Sequence, residues 1–159
     1  MNPAPVIIKA ENPDHYSAGL VLFKAYITSL DFDLSFQNID QELQILPEMY
    51  GAPTGALLLV VYDNQYIGVA GIRRIENEFT CEVKRMYIRP EYQGKGMGKE
   101  LMSKIMEVAR EMNYRKIKLD THAVKMPHAV KLYEASGFRQ VAPYNYNPHP
   151  GTVFFERDL

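Results

Sequence analysis

The clearest pattern along the chain follows Met97. Leu101, Ile105, Val108 or Ala109, and Met112 recur at the helical period, with polar residues opposite. A helix is predicted there. Two more come earlier. One runs from Pro13 to Leu30, with Asn12 as its cap and Pro13 in its first turn. The other covers "NIDQELQIL", with Ile39, Leu43 and Leu46 on one face and Pro47 as its stop. A fourth helix is predicted over "MPHAVKLYEAS", ended by Gly137. "DFDLSF" reads as a loop.

Strand patterns fill the rest. "PVIIKA" is a short first strand. "GALLLVVY" and "QYIGVAGIRRI" flank Asp63-Asn64, a turn-forming pair, and "FTCEVKRMYI" follows through Glu76-Asn77-Glu78. Links this tight predict antiparallel pairing. "YRKIKLDT", "FRQVAPY" and "GTVFFERDL" supply three more strands. The order is β-α-α-β-β-β-α-β-α-β-β. It predicts a mixed, mostly antiparallel sheet with flanking helices, and one parallel strand–helix–strand crossover.

Composition narrows the class. The chain has 159 residues, 47% of them hydrophobic and 23% charged, which predicts one domain over residues 1–159 with a substantial core. A net charge of −1 gives no field to draw it to nucleic acid or membrane. The longest apolar run, "ALLLVV", is too short to span a bilayer, and "MNPAPVIIKAE" lacks the basic start and apolar stretch of a signal peptide. Cys81 is the single cysteine, which excludes an intramolecular disulfide and a cysteine-based zinc site. The four histidines show no metal-ligand spacing, so no metal is expected. A cytoplasmic location is the expectation.

The candidate chemistry centres on "QGKGMGK". Gly94, Gly96 and Gly98 lie within five residues at the mouth of the strong helix, with Lys95 and Lys99 beside them. Glycine weakens a helix, so three here need a reason. A helix N-terminus offers unpaired N–H groups and a positive dipole end. Glycines admit a phosphate to the backbone and lysines add charge, which makes the loop an anion cradle. It is no P-loop, since G-x-x-x-x-G-K-[ST] occurs nowhere. It also departs from the dinucleotide fingerprint, having Lys99 where the last glycine belongs.

Gln93-Gly94-Lys95-Gly96-Met97-Gly98 fits [QR]-x-x-G-x-[GA] and, with "CEVKRMYIRPEYQGKGMGKELM" and "AVKLYEASGF", resembles the GNAT superfamily of acyl-CoA-dependent N-acetyltransferases. The resemblance spans essentially the whole chain, element order included. It implies the GNAT acyl-CoA N-acyltransferase fold, acetyl-CoA as donor, and direct attack of an amine in a ternary complex. It implies that backbone groups of Met86, Tyr87 and Ile88 meet the pantetheine arm. Gln93 through Gly98 would hold the pyrophosphate, with Lys95 and Lys99 reaching the phosphates or merely solvated.

The same resemblance implies Glu82 as base, directly or through a water, and Tyr133 as acid to the departing thiolate. On residues alone, Glu82 equally suits an exposed pair with Lys84, and Tyr133 a core ring. His122 is a further candidate base. The family's frequent asparagine is Met126 here, with His128 and Thr121 as stand-ins. Phe32 and Phe36, with Tyr144 and Tyr146 from a proline-rich loop, would wall a ring-lined acceptor site or serve as stiff hairpin material. The acceptor is expected to be a small-molecule amine. Alternatives are a protein lysine or N-terminal amine, a silent acyl-CoA sensor, and a nucleotide-binding regulator. A homodimer fits the family.

Overall fold

A computed structural model describes residues 4–31 and 38–159. Strands β1 (Val6–Lys9), β2 (Ala56–Tyr62), β3 (Gln65–Arg74), β4 (Thr80–Ile88), β5 (Lys116–His122), β6 (Arg139–Val141) and β7 (Thr152–Asp158) form a single sheet. Its order is β1-β2-β3-β4-β5-β7-β6, parallel at β4–β5 and antiparallel at every other pair. The turn at Asp63-Asn64 has both residues at positive φ, as the right-handed twist of a tight hairpin requires.

Five helices flank the sheet among the described residues: α1 (Pro13–Ser29), α2 (Ile39–Gln44), α3 (Leu46–Met49), α4 (Met97–Glu111) and α5 (Pro127–Ala135). Asn12 caps α1, its side chain accepting from the His15 N–H. Pro47 does not stop the second helix. The helix breaks at Ile45, and Pro47 sits in the first turn of α3, where its missing N–H has no bond to forfeit. The strand predicted over "FRQVAPY" is shorter than expected. The Phe138 N–H closes the end of α5 on the Tyr133 carbonyl, and pairing with β7 ends at Val141.

Two apolar layers sandwich the sheet, because alternate residues of each strand face opposite ways. Ala56, Leu58 and Val60 of β2 join Cys81 and Val83 of β4 under α4. Leu57 and Leu59 join Leu22 and Phe23 of α1, Leu46 and Tyr50 on the other face. The Cys81 thiol is fully enclosed, and burial with the nearby Glu82 charge pushes its pKa up to about 12. It is a core residue.

Tyr50 is the odd member of the second layer. Its ring stands edge-on to Phe23, centroids 5.5 Å apart, and lies so close over Gly71 that a Cβ there would be 2.5 Å from the ring. Its hydroxyl is buried with no hydrogen-bond partner among the described residues. An unmet buried hydroxyl carries a desolvation penalty of about 1–3 kcal/mol. Tyr50→Phe removes it without opening a cavity. The expected outcome is a melting temperature equal to or above wild type, read by thermal denaturation; a clear drop would mean that the hydroxyl is satisfied in solution.

Candidate functional site

The site is made by a fault in β4. Facing β3, residues Gly71 and Val69 pair with Lys84 and Tyr87, so β4 carries one extra residue. Arg85 sits there at φ 56, in the left-handed region that residues other than Gly, Asn and Asp seldom enter. Regular alternation would point Arg85 the way of Cys81 and Val83, into the apolar layer under α4. The bulge turns it to the opposite face, where Glu42 of α2 takes its Nε and Nη2 at 3.0 and 3.2 Å. Beyond the bulge, Met86 and Ile88 face the α4 layer and Tyr87 joins the α1 layer.

The bulge also parts β4 from β5. Their parallel ladder ends at Glu82–Lys118, while β4 runs on to Ile88 and β5 to His122. Between the diverging ends opens a cleft of about 770 Å³, the size range of small-molecule sites. Met86, Tyr87 and Ile88 form one wall, with α5 on the other side and Tyr26 of α1 at the edge.

The glycine loop closes one end. Gln93, Gly94, Gly96, Gly98 and Lys99 line the cleft. Gly94 and Gly96 have φ of 76° and 81°, and a Cβ at either would meet nothing within 4 Å. The demand for glycine is thus conformational, with open space left above the backbone. No side chain caps α4, so its first N–H groups have no side-chain acceptor. The Gln93 amide donates to the Ile88 carbonyl at 2.7 Å, tying loop to strand. Lys95 lies over the Tyr92 ring, 5.8 Å from its centroid, and Met97 is buried in the core.

Tyr133 faces the cleft from α5. Its ring packs between Phe138 and Phe155, centroids 6.0 and 6.1 Å away, and its hydroxyl has no hydrogen-bond partner among the described residues. Burial, then the neighbouring Tyr26 and Asp120, raise its pKa above the usual phenol value. The proton is held and available. Met126, Thr121 and His128 all line the cleft, with the Thr121 hydroxyl 3.7 Å from the Met126 sulfur.

Glu82 is placed differently from the base expected of it. It is 1% exposed and does not line the cleft. Arg73, directly opposite on β3, donates to Oε1 at 3.0 Å, and the Tyr144 hydroxyl donates to Oε2 at 2.6 Å. The alternative reading of Glu82 and Lys84 as an exposed surface pair does not hold either, since both residues are buried. Burial lowers the Lys84 pKa, and the Glu82 charge opposes that shift.

Tyr144 is therefore drawn inward as a clamp. Its ring meets Phe154 edge-on at 5.3 Å, and burial with the Glu82 charge raises its pKa. Asn145 bonds Asp120 at 3.3 Å, so the two splayed strands each hold one residue of the same loop. Tyr146 is 76% exposed and does not line the cleft. Phe32 and Phe36 lie outside the described residues. The His122 ring packs against Gly151, its Nδ1 accepting from the Lys125 N–H.

Sequence reasoning missed Tyr26, Glu42, Arg85 and Asp120. Only Arg85 left a signal, a charge at a strand position that alternation assigns to the core. Asp120 lines the cleft on β5, and burial raises its pKa above the usual carboxylate value, Lys84 opposing.

Known proteins resemble this chain in sequence and in fold. The Acetyltransferase (GNAT) family profile matches residues 23–138. An uncharacterized N-acetyltransferase of Schizosaccharomyces pombe is 32% identical over 162 residues, covering 100% of this chain and 98% of its own. Human N-acetylaspartate synthetase is 36% identical over 107 residues, covering 67% of this chain and 35% of its own. Among solved structures, a Streptococcus agalactiae acetyltransferase superposes with a TM-score of 0.78 at 22% identity, covering 98% of each chain.

The clamp generates a prediction. A hydrogen bond to a buried carboxylate contributes about 1.5–3 kcal/mol. Tyr144→Phe is expected to lower stability by about that amount in chemical denaturation. The same substitution should speed limited proteolysis within residues 142–150; unchanged cleavage would rule out the clamp.

Proposed function

The chain belongs to the GNAT acetyltransferase family as an N-acetyltransferase, and from that premise we propose that it moves an acetyl group from acetyl-CoA to a small-molecule amine in the β4–β5 cleft. The observation that carries this reading is the cleft itself. It joins an uncapped helix N-terminus with open glycines at one end to an unpartnered tyrosine hydroxyl and a carboxylate further in. The first suits a pyrophosphate and the second suits acyl transfer.

Coenzyme A fits these residues. Backbone N–H groups of Gly94 to Gly98 would take the pyrophosphate with Lys99 alongside, and the unpaired edge of β4 at Met86 to Ile88 would take the pantetheine arm as an added strand. When bound, the thioester supplies an activated acetyl carbonyl. The N–H groups of that edge then meet the charge that grows on the carbonyl oxygen.

An alkyl amine is mostly protonated near neutral pH, with a pKa of about 10. Asp120 takes that proton, because its carboxylate is in the cleft while both Glu82 oxygens are occupied. Glu82 holds the loop over the site as a positioning residue. Tyr133 gives its proton to the departing thiolate. Its raised pKa keeps the hydroxyl neutral above the pH at which an ordinary tyrosine ionises.

A small acceptor is supported by the relative whose name makes N-acetylaspartate its product. The protein is placed in the cytoplasm as part of this reading; no described helix is long and apolar enough to cross a membrane.

Thiol release from acetyl-CoA, measured across amines, amino acids and peptides, tests the reading. Asp120→Asn is expected to lose about 100- to 10,000-fold in kcat, the usual range for a general base. Tyr133→Phe should also lose activity while binding coenzyme A normally. Glu82→Gln should act mainly through stability and KM. Coenzyme A binding with no amine-dependent release from any acceptor would favour a sensor and sink the enzyme assignment.

A further inference from the structure

Arg85 has more hydrogen-bonding capacity than the protein uses. A guanidinium carries five N–H donors. Glu42 accepts from two of its nitrogens, along one edge of the plane. The remaining donors have no protein acceptor among the described residues. Yet the side chain is only 5% exposed, and Arg85 lines the cleft. Those donors are not sealed off, since the Tyr50 hydroxyl is the only buried side-chain polar atom left without a partner among the described residues; they open onto the cleft. The left-handed backbone at Arg85 is strained for a residue with a side chain. The bulge parts β4 from β5 whatever residue it carries, and that does not require an arginine. An enclosed arginine there makes sense if the free edge of the guanidinium serves something in the cleft.

The neighbouring groups say what that is. Tyr26, Arg85 and Asp120 all line the same cleft. Arg85 is thus the cationic end and Asp120 the anionic end of one chamber. Among the buried charged residues, Lys84 and Arg85 stand against Glu42 and Glu82, while Asp120, Lys99 and Lys125 line the cleft itself. A bare ammonium ion entering the cleft would satisfy Asp120 and leave the Arg85 edge to water. An acceptor carrying an ammonium and a carboxylate would satisfy both and add no net charge. Carboxylate is also the group that a guanidinium edge fits bidentately.

We infer that the acceptor is an amino acid or a similar amino-carboxylate, its carboxylate bound by the free edge of Arg85 while its amine faces Asp120. This rests on the acetyl-transfer reading above and adds the chemical class of acceptor and the residue that selects it. Glu42 is then a positioning residue. It holds the plane of the guanidinium so that the second edge faces the cleft.

The experiment compares matched acceptors on wild type: each common amino acid, its primary carboxamide and its decarboxylated amine, by kcat/KM for thiol release. In parallel, each is titrated by thermal shift in saturating coenzyme A. A site built to hydrogen-bond a group rejects analogues lacking it by about 10⁴- to 10⁵-fold at best. At least a 100-fold preference for one or more free acids over their carboxamides is expected. Arg85→Gln should reduce that ratio to near unity.

Arg85→Gln alone leaves Glu42 buried and unpaired, which risks unfolding. The double variant Glu42→Gln/Arg85→Gln removes both charges and should keep the fold and coenzyme A binding while losing the same selectivity. Equal rates for acids and carboxamides, or a preference that survives the double variant, would falsify the inference. Coenzyme A binding with no amino acid either acetylated or bound overturns the acceptor assignment and leaves the donor site standing. Failure to bind coenzyme A overturns the acetyl-transfer reading beneath it.

Discussion

The extra residue at Arg85 is the constraint on which the site depends. A strand that stays in register with both neighbours cannot leave its own edge free. β4 stays paired with β3 along its length by taking up one residue, and in doing so it turns away from β5 after Glu82. The cleft, the free backbone edge and the reversed facing of residues 86–88 all follow from that single insertion. The ion pair to Glu42 fixes where the inserted side chain goes. Buried pairs of this kind often add little net stability, because desolvation offsets the attraction. Here the effect is positional. The pair fastens α2 to the strand at the bulge.

The two faces of the sheet carry different work. Under α4, Cys81, Val83 and their partners make an apolar layer with no charge to satisfy. Toward α1 and α2, the same strands present Arg73, Glu82, Lys84 and Asp120. Such a charged layer can be buried only if its members answer one another. Glu82 is answered by Arg73 and Tyr144, and Arg85 by Glu42. Asp120 is held by Asn145 and remains open to the cleft. The groups left with spare capacity are those at the cleft.

The loop before β7 shows how the polar layer shapes the mouth. Tyr144 and Asn145 are adjacent in sequence, yet one reports to β4 and the other to β5. The loop therefore bridges the two strands where their own hydrogen bonds have stopped. Lys118, 5.1 Å from the centroid of the Tyr144 ring, adds a cation against its face. A segment of prolines and aromatics, which could have been a free rim, becomes a tie across the splay.

Much of this was legible in the residues. Periodicity fixed the helices because burial of one face repeats every turn, and Asp63-Asn64 marked its hairpin because few residues tolerate positive φ. The glycine loop was legible as a special feature, since three glycines at a helix mouth have few ordinary uses, and it closes one end of the cleft. Pro47 misled because proline ends one helix and begins another equally well. What the sequence could not assign was the partner of each charge. Glu82 and Lys84 lie two apart and share a face by periodicity, but Glu82 is held by Arg73 across the ladder and by Tyr144 from 62 residues away. Likewise Asp120, Tyr26 and Arg85 meet from β5, α1 and β4. Local pattern determines which way a side chain faces. Which charges end up opposite one another depends on strand register and a one-residue bulge, and only the folded sheet decides those.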